Sequence, residues 1–414
     1  MVAGGINRIG LVVQDLLSDG TQQAIDMRYS VFDGLRGIFL LLMMYSHTTT
    51  VLQSQLGTAI NHHQLGFADA AHGFVFLSGL VIALYFMRVL RERGEEALAP
   101  LARRRILFIY KYHIGALIGL VVIANLLPQN AGRLGLLGQM DADEYLALIF
   151  LIHQPSFFDI LPMYMVFIAC TPFILRMFER GHAWSVLIAS ISLWLIAQTG
   201  IISALVSAIE WKISATSLDI RIGLFGLFAW QLIYIAGLLL GYFTFIGRFD
   251  VNILRGLPAS FVKAMTAAFF GLLLFQRFLV DHPARFEELV ENFINFHSKW
   301  NFSLFFLASV VAYGVLLAWL YVAGSHSSNR MISFAAQSFR TILNSRSLIL
   351  LGQNSIQVFT YHLVVVYLLS PLPYLYSMSE IISFALLVAS TFSLFAFAAT
   401  WKWIMARSTL AFLR

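Results

Sequence analysis

The sequence predicts an all-α integral membrane protein, a bundle of about ten transmembrane helices. Of its 414 residues, 59% are hydrophobic and 12% are charged, and the mean hydropathy is +0.79. An average soluble domain carries about 25% charged residues, so a water-soluble protein is excluded. Apolar stretches of the length that crosses a bilayer, about 20 residues, recur along the chain. Lys and Arg also cluster in alternate connections between these stretches.

The apolar stretches define the predicted spans. The ten spans are residues 37–55, 71–88, 105–127, 159–178, 183–206, 224–246, 260–280, 303–323, 348–369 and 379–401. The stretch 144–153 is too short to cross a bilayer, so we expect an interfacial or re-entrant helix there. The acidic amphipathic stretch 281–302 is expected to lie over the outer mouth of the bundle.

The distribution of Lys and Arg predicts the orientation of the chain. With the N-terminus in the cytoplasm, the inside segments carry twenty of these residues, the outside segments carry six, and Lys111 lies within a span. Positive charges favour the cytoplasmic side, so we expect both termini there. The net charge of +6 thus reflects topology and does not indicate nucleic-acid binding. We divide the chain into a cytoplasmic segment 1–30, a transmembrane domain 31–403 and a cytoplasmic tail 404–414, with no cleaved signal peptide.

The first span carries three ionisable residues. Arg36 and His47 are eleven positions apart, which places them on one helical face about 16 Å apart along the axis, and Asp33 shares that face. Ionisable groups within a span usually face a bundle interior or a wet cavity. The three residues therefore predict a polar track from one membrane surface towards the midplane. The alternative is an Asp–Arg pair that anchors the helix end, and a packed histidine.

The connection 88–105 contains six arginines and ends in Arg103, Arg104 and Arg105, where the third span begins. Guanidinium groups match phosphate oxygens, so this cluster is a candidate site for a phosphorylated cytosolic donor. His113 follows about two helical turns later and belongs to the same candidate donor site. The alternatives are anchoring of the arginines against anionic lipid and a histidine that is only packed.

Further polar residues within or beside the spans are candidates for an acceptor site or an interior cavity. They are Asp69, Ser78, Asp159, Tyr164, Gln231, Asn354 and His362. Structural alternatives stay open for several of them. Ser78 and the adjacent glycine allow close helix packing, Asp159 is placed to cap a helix, and Gln231 needs a hydrogen-bonding partner in lipid.

Other catalytic patterns do not match the chain. The spacing of His62, His63, Asp69 and His72 fits no standard zinc site, so no metal site is predicted. The single cysteine, Cys170, excludes an intrachain disulfide and a cysteine-cluster metal site. A serine nucleophile motif of the GxSxG type is absent from the sequence.

Six motifs in order resemble those of one enzyme family. The D-x-x-R-G opening, with His47 eleven residues after Arg36, resembles the acyltransferase-3 class of membrane acyltransferases. DAAHGFVFLSG, RRRILFIYKYH, FDILPMY, AWQLIYIAGLLLG and LILLGQNSIQVF resemble motifs of the OpgC-type succinyltransferases of osmoregulated periplasmic glucans. The matches extend from Asp33 to Phe359. Two departures are Gly34-Leu35, where bulkier residues are expected, and His72, where an acidic residue is expected.

The resemblance implies an enzyme of the bacterial inner membrane that moves a succinyl group from cytosolic succinyl-CoA to a hydroxyl of a periplasmic glucan. Its partners would be the bilayer, the acyl-CoA co-substrate (succinyl-CoA or acetyl-CoA) and the glucan, with no tightly bound cofactor and no nucleic acid. His47 is then the expected general base, and Asp33 and Arg36 the pair that holds the helix start and orients the donor. An acyl-histidine intermediate stays open.

Two other functions remain as alternatives. One is an O-acetyltransferase of another envelope polysaccharide, which would share the reaction chemistry. The other is a polytopic transporter or flippase, for which paired, interrupted spans in two related halves would be the sequence indication. The sequence contains no such pair of halves.

Overall fold

The computed structural model describes residues 30–127, 131–214, 226–281 and 299–412. Nearly all of the predicted segment 1–30 and most of the stretch 281–302 lie outside these ranges. All regular elements in the described ranges are helical. The α-helices are α1 Ser30–Leu52, α2 Gln55–Ala59, α3 Ala70–Arg93, α4 Leu98–Leu126, α5 Gly132–Gly138, α6 Ala142–Ile149, α7 Ile160–Glu179, α8 Ala183–Gln198, α9 Ile201–Ser214, α10 Leu227–Phe245, α11 Ala259–Asp281, α12 Leu304–Val322, α13 Arg330–Leu343, α14 Arg346–Gln353, α15 Ser355–Leu369, α16 Leu372–Leu375 and α17 Glu380–Phe412.

The helices match a multi-pass membrane protein. Within the described residues, nine helices are long and apolar enough to cross a bilayer, namely α1, α3, α4, α7, α10, α11, α12, α15 and α17. A tenth span is formed if α8 and α9 count as one, although they are bent by 61° at their junction. Gly200 at this junction has φ +77°, a left-handed conformation that ends α8. The prediction of about ten transmembrane helices is confirmed, but 183–206 is not one straight helix.

Several predicted boundaries differ from the structure. The connection predicted at 88–105 is mostly helical, because α3 continues to Arg93 and α4 begins at Leu98. The predicted span 348–369 is broken at Asn354 into α14 and α15. The last helix continues to Phe412, beyond residue 401, where the predicted span ends. The short stretch at 144–153 forms α6, whose eight residues cannot cross a bilayer.

The core lies where α3 and α10 pack against each other along their length. Their backbones approach closely, since a Cβ atom on Gly79 would come within 2.4 Å of the Tyr234 carbonyl oxygen, and one on Gly237 within 2.1 Å of that of Phe76. Small residues permit such contacts in membrane bundles. Trp230 and Tyr234 fill the adjoining interior and are fully buried. Helix α11 lies at the periphery of the bundle, and no residue of its most apolar stretch is buried.

Candidate functional site

A cavity of about 300 Å³ opens at the end of the bundle where α1 begins. Its lining includes an ion pair from the first helix, in which Arg36 Nη1 lies 3.5 Å from Asp33 Oδ1. The remaining lining residues come from α4 and from the break between α14 and α15: Arg105, Phe108, Gly352, Gln353, Ser355, Ile356 and Gln357. We call this the inner end, following the predicted orientation. The cavity is therefore polar and carries two guanidinium groups.

Glycines bring the elements around this cavity together. A Cβ atom on Gly34 would lie 1.9 Å from the carbonyl oxygen of Leu343, and one on Gly352 would lie 1.9 Å from that of Asp33. Both contacts are with backbone atoms, which a side chain cannot displace without moving a helix. Gly34, where the resemblance led us to expect a bulkier residue, thus has a structural reason, because this helix start packs directly against the chain before α14.

The three arginines that precede the third span occupy different environments. Arg105 lines the cavity, whereas Arg103 and Arg104 are exposed on the surface of α4. His113 lies two turns further along α4 and is 1% exposed, and neither of its ring nitrogens has a hydrogen-bond partner among the described residues. Its ring contacts that of Phe158, with the centroids 5.5 Å apart. The structure therefore separates the predicted donor residues into one at the cavity, two outside it and one deep in the bundle.

Two histidines meet in the interior of the bundle, 315 positions apart in the sequence. His47 Nδ1 lies 2.8 Å from His362 Nε2, and the ring centroids are 4.9 Å apart. His362 is fully buried and its Nδ1 lies 3.0 Å from the carbonyl oxygen of Phe359. His47 is only partly buried.

These contacts determine where the protons lie. A carbonyl oxygen can only accept, so His362 Nδ1–H donates to Phe359, and in a neutral ring His362 Nε2 is then an acceptor. His47 Nδ1–H must therefore donate to His362, which leaves the lone pair of His47 on Nε2. That nitrogen has no partner among the described residues. The pair thus presents one basic nitrogen, oriented by the second histidine.

The His47 ring also stacks on Phe157, with centroids 4.0 Å apart and an interplanar angle of 20°. Phe157 has φ +72°, a conformation that a bulky L-residue rarely adopts and that costs energy. The same ring lies 4.4 Å from the guanidinium carbon of Arg133, at the start of α5. The connection between α6 and α7 therefore contributes an aromatic wall to the histidine pair.

A second charged cluster lies at the opposite end of the bundle, which we call the outer end. Asp69 accepts hydrogen bonds from His62 Nε2, at 3.2 Å, and from the Lys299 ammonium, and it also caps α3 through the backbone amide of Ala71. Burial disfavours the ionised carboxylate, but the Lys299 charge and the His62 hydrogen bond outweigh this effect, so the pKa of Asp69 lies well below its usual range. Asp69 is therefore an ionised and fully satisfied carboxylate.

His63 connects this outer cluster to the first helix. Its Nε2 lies 2.7 Å from Ser46 Oγ, directly before His47. Burial lowers the pKa of His63 to about 4, with Asp69 opposing the shift, so the ring is neutral near pH 7. Ligand atoms of His62, His63 and Asp69 lie within 4.8 Å of one another, close enough for a metal ion. However, the Lys299 ammonium is bonded to Asp69, and its positive charge opposes a cation there.

His72, where the resemblance led us to expect an acidic residue, has a structural role at the start of α3. Its Nδ1 accepts a hydrogen bond from the backbone amide of Asp69 at 3.1 Å, which completes a capping box at the start of α3. The imidazole stacks on Trp230 with centroids 4.5 Å apart. A neutral histidine thus supplies the side-chain acceptor of this capping box.

One prediction about Asp159 is wrong. Asp159 precedes α7, but its side chain makes no capping hydrogen bond to that helix. A capping residue normally has an extended backbone, whereas Asp159 has φ −72° and ψ −24°, which is helical and directs its side chain elsewhere. Asp159 is nevertheless buried, with 5% of its surface exposed.

The other predicted acceptor residues are scattered over the bundle. Ser78 is buried beside Gly79 at the packing contact of α3 with α10, and Tyr164 is buried against Tyr234. Gln231 Nε2 donates to the carbonyl oxygen of Ser190 at 2.7 Å, and its Oε1 accepts from Ser190 Oγ at 2.6 Å. Asn354 donates to Leu350 at the helix break. Of the seven candidates, only His362 contacts His47.

Sequence analysis did not single out Arg133, Phe157 or Lys299. Arg133 and Lys299 were counted only as two of the six outer cations. Positive charges are disfavoured on the outer side of the membrane, so the position of these two cations there could have marked them for attention. Phe157 carries no signal in a chain with 37 phenylalanines, because its significance lies in its backbone conformation and its neighbours.

Comparisons with known proteins identify a family for the chain. Neither the curated proteins nor the solved structures contain a match to the chain. The family model described as OpgC protein matches residues 28–406, which is most of the 414-residue chain and includes both histidines of the pair. This match suggests a transferase that modifies osmoregulated periplasmic glucans. On this evidence, the chain belongs to the OpgC protein family.

Proposed function

We propose that the protein transfers a succinyl group from cytosolic succinyl-CoA to hydroxyl groups of a periplasmic glucan, within the bacterial inner membrane. The observation that carries the proposal is the His47–His362 hydrogen bond, because it orients a neutral imidazole with a free lone pair in the interior of a membrane bundle. Membership of the OpgC family supports the class of reaction.

The histidine pair matches the requirements of acyl transfer to a hydroxyl. The sugar oxygen attacks the thioester carbon while His47 Nε2 accepts the hydroxyl proton. The resulting imidazolium is stabilised by its Nδ1–H bond to His362, and it then returns the proton to the departing CoA sulfur. Because His362 itself donates to Phe359, it stays an acceptor throughout the reaction.

The inner cavity supports the donor part of the proposal. Arg36 and Arg105 line it, and arginine forks bind phosphate oxygens such as those of CoA. His47 is eleven residues beyond Arg36 on α1, or about 16 Å along the axis. A pantetheine arm extending from phosphates at the inner end would have to cross this distance. Asp33 holds Arg36 in place from one turn away and leaves its other donors available.

The test is mass spectrometry of envelope glycans from a strain that lacks the gene, with wild-type and His47→Asn versions restored in parallel. We expect succinyl substituents to disappear from the periplasmic glucan, to return with the wild-type gene and to stay absent with the variant. Loss of acetyl groups from another polymer would instead identify an O-acetyltransferase. An unmodified polymer retained in the cytoplasm would identify a flippase.

A further inference from the structure

The environment of Arg133 indicates how the enzyme selects its acyl group. The Arg133 guanidinium carbon lies 4.4 Å from the Phe157 ring centroid, and that centroid lies 4.0 Å from the centroid of the His47 ring. These two distances together place the guanidinium within about 8.4 Å of the imidazole. Arg133 therefore lies close to His47, the proposed base, with one aromatic ring contacting both side chains.

Arg133 has capacity for an anionic ligand. Its side chain is partly buried, and no carboxylate within the described parts of the chain lies within 4.0 Å of it. By contrast, the cations Arg36, Arg176 and Lys299 each have an acidic partner within that distance. The preference of positive charge for the cytoplasmic side does not explain Arg133, because it is one of the six cations on the predicted outer side.

The Phe157 ring, which contacts both Arg133 and His47, belongs to a strained segment. Phe157 has φ +72°, and its neighbours are fixed by two hydrogen bonds: the Phe158 amide donates to Pro155 at 3.0 Å, and the Tyr367 hydroxyl donates to Ser156 at 2.8 Å. Strained backbone of this kind persists where the surrounding structure over-determines it, and it is concentrated at functional sites. The ring that links His47 to Arg133 is thus positioned by the fold.

From this geometry we propose that Arg133 binds the free carboxylate of the acyl group and so selects a dicarboxylic donor. This inference rests on the proposed function. Three C–C bonds of about 1.5 Å separate the two carboxyl carbons of a succinyl group, which span about 4 Å when extended. An arginine fork binds a carboxylate with N–O distances of about 2.8 Å. Because the Phe157 ring lies between the two side chains, the acyl group would run past the edge of this ring, with its thioester carbon on the His47 side and its carboxylate at Arg133.

The experiment compares two acyl donors of equal length, since butyryl-CoA has the four carbons of succinyl-CoA and lacks its carboxylate. Glucan acylation is measured with both donors for the full-length wild-type protein and for Arg133→Gln in lipid nanodiscs. We expect wild type to prefer succinyl-CoA, and Arg133→Gln to lower kcat/KM for succinyl-CoA on the order of 100-fold while changing that for butyryl-CoA little. Arg133→Lys keeps the charge but loses the fork, so its preference should be intermediate.

Two further variants serve as controls. Arg277→Gln removes a cation from the same predicted side, where the guanidinium donates to Gln64, and it should leave the donor preference unchanged. Asp159→Asn tests whether Arg133 only balances that buried carboxylate, in which case both variants would impair the two donors alike.

Equal loss with both donors in Arg133→Gln, or an unchanged preference in both Arg133 variants, would overturn the role of Arg133. A wild-type protein that prefers butyryl-CoA or acetyl-CoA would overturn it as well, while leaving acyl transfer intact. A wild-type protein that transfers no acyl group from any CoA thioester would instead overturn the proposed function, and the inference with it.

Discussion

The two ends of the bundle each carry a carboxylate paired with a cation, but the pairs differ in how fully they are satisfied. At the inner end, Asp33 and Arg36 are 19% and 14% exposed, and they line a cavity. Arg36 has five N–H donors, and Asp33 is its ion-pair partner among the described residues. At the outer end, the Asp69 side chain is 6% exposed and accepts hydrogen bonds from His62, Lys299 and a backbone amide.

This difference distinguishes a binding pair from a structural one. The inner pair leaves donors directed at open space, so a phosphate can bind without breaking an existing contact. The outer carboxylate has its acceptors occupied, and its removal would leave Lys299 without its counter-charge. Charge alone does not identify a site in a membrane protein; unused hydrogen-bonding capacity beside a cavity is the more specific indication.

The prediction with the largest expected effect tests the membrane orientation of the chain, on which the assignment of the inner and outer ends depends. Because twenty Lys and Arg lie in the predicted inside segments against six outside, we expect a C-terminal alkaline phosphatase fusion to be inactive and a C-terminal fluorescent fusion to be bright. The opposite pair of results would exchange the two ends and place the Arg36 cavity on the side away from the cytosolic donor.

Replacing His47 tests the role of the centre of the bundle independently of the two ends. His47→Asn removes the basic nitrogen, so we expect the chemical step to slow on the order of 10²–10⁴-fold with little change in acyl-CoA affinity, because the phosphates are bound at the inner end. The measurement is acyl transfer to glucan by purified protein, alongside donor binding. A protein that folds poorly but has near-normal specific activity would show that His47 is structural.

His362 provides the matched comparison for this experiment. His362→Gln keeps an acceptor for His47 Nδ1–H, whereas His362→Leu removes it, so the leucine variant should be the slower of the two. Equal activity in both variants would mean that His362 does not orient the base.

Asp69→Asn and Asp33→Asn contrast the two ends directly. Removing one partner of a buried ion pair costs about 3–5 kcal/mol, and we expect the lower end for Asp69→Asn because the Lys299 side chain is 30% exposed. The more exposed pair of Asp33 should contribute about 1 kcal/mol or less, so Asp33→Asn should retain its melting temperature while donor binding weakens. Thermal unfolding in detergent measures the first effect and acyl-CoA titration the second. The reverse ranking of melting temperatures would contradict the distinction between the ends.

The smallest effect separates the arginines of the cluster. Arg105→Gln should raise KM for acyl-CoA about tenfold with kcat nearly unchanged, because it removes binding energy common to ground and transition states. Arg103→Gln and Arg104→Gln remove the same charge from exposed positions and should change KM much less. Equal shifts in all three variants would mean that the cluster acts through its summed charge, and no shift in any of them would indicate a role in topology alone.

Sequence alone predicted the membrane class, the approximate number of spans and the pairing of Asp33 with Arg36. These features are local: a bilayer requires about 20 apolar residues in a row, and residues three apart on a helix are neighbours. The break between α8 and α9 escaped prediction, because Thr199-Gly200 adds little polarity to an apolar stretch. The failure of Asp159 to cap α7 escaped it for a different reason, since residue type does not determine backbone conformation.

Only the tertiary structure decided which polar residues meet. His47 and His362 are 315 positions apart, and Asp69 meets Lys299, which lies 230 positions later in the chain. Hydropathy and helical periodicity place each of these residues on a segment and a face, but not opposite a particular partner, because that depends on how the helices pack. The proton arrangement of His47 follows from such a contact. The free lone pair on its Nε2 is therefore a property of the fold, although the histidine itself was visible in the sequence.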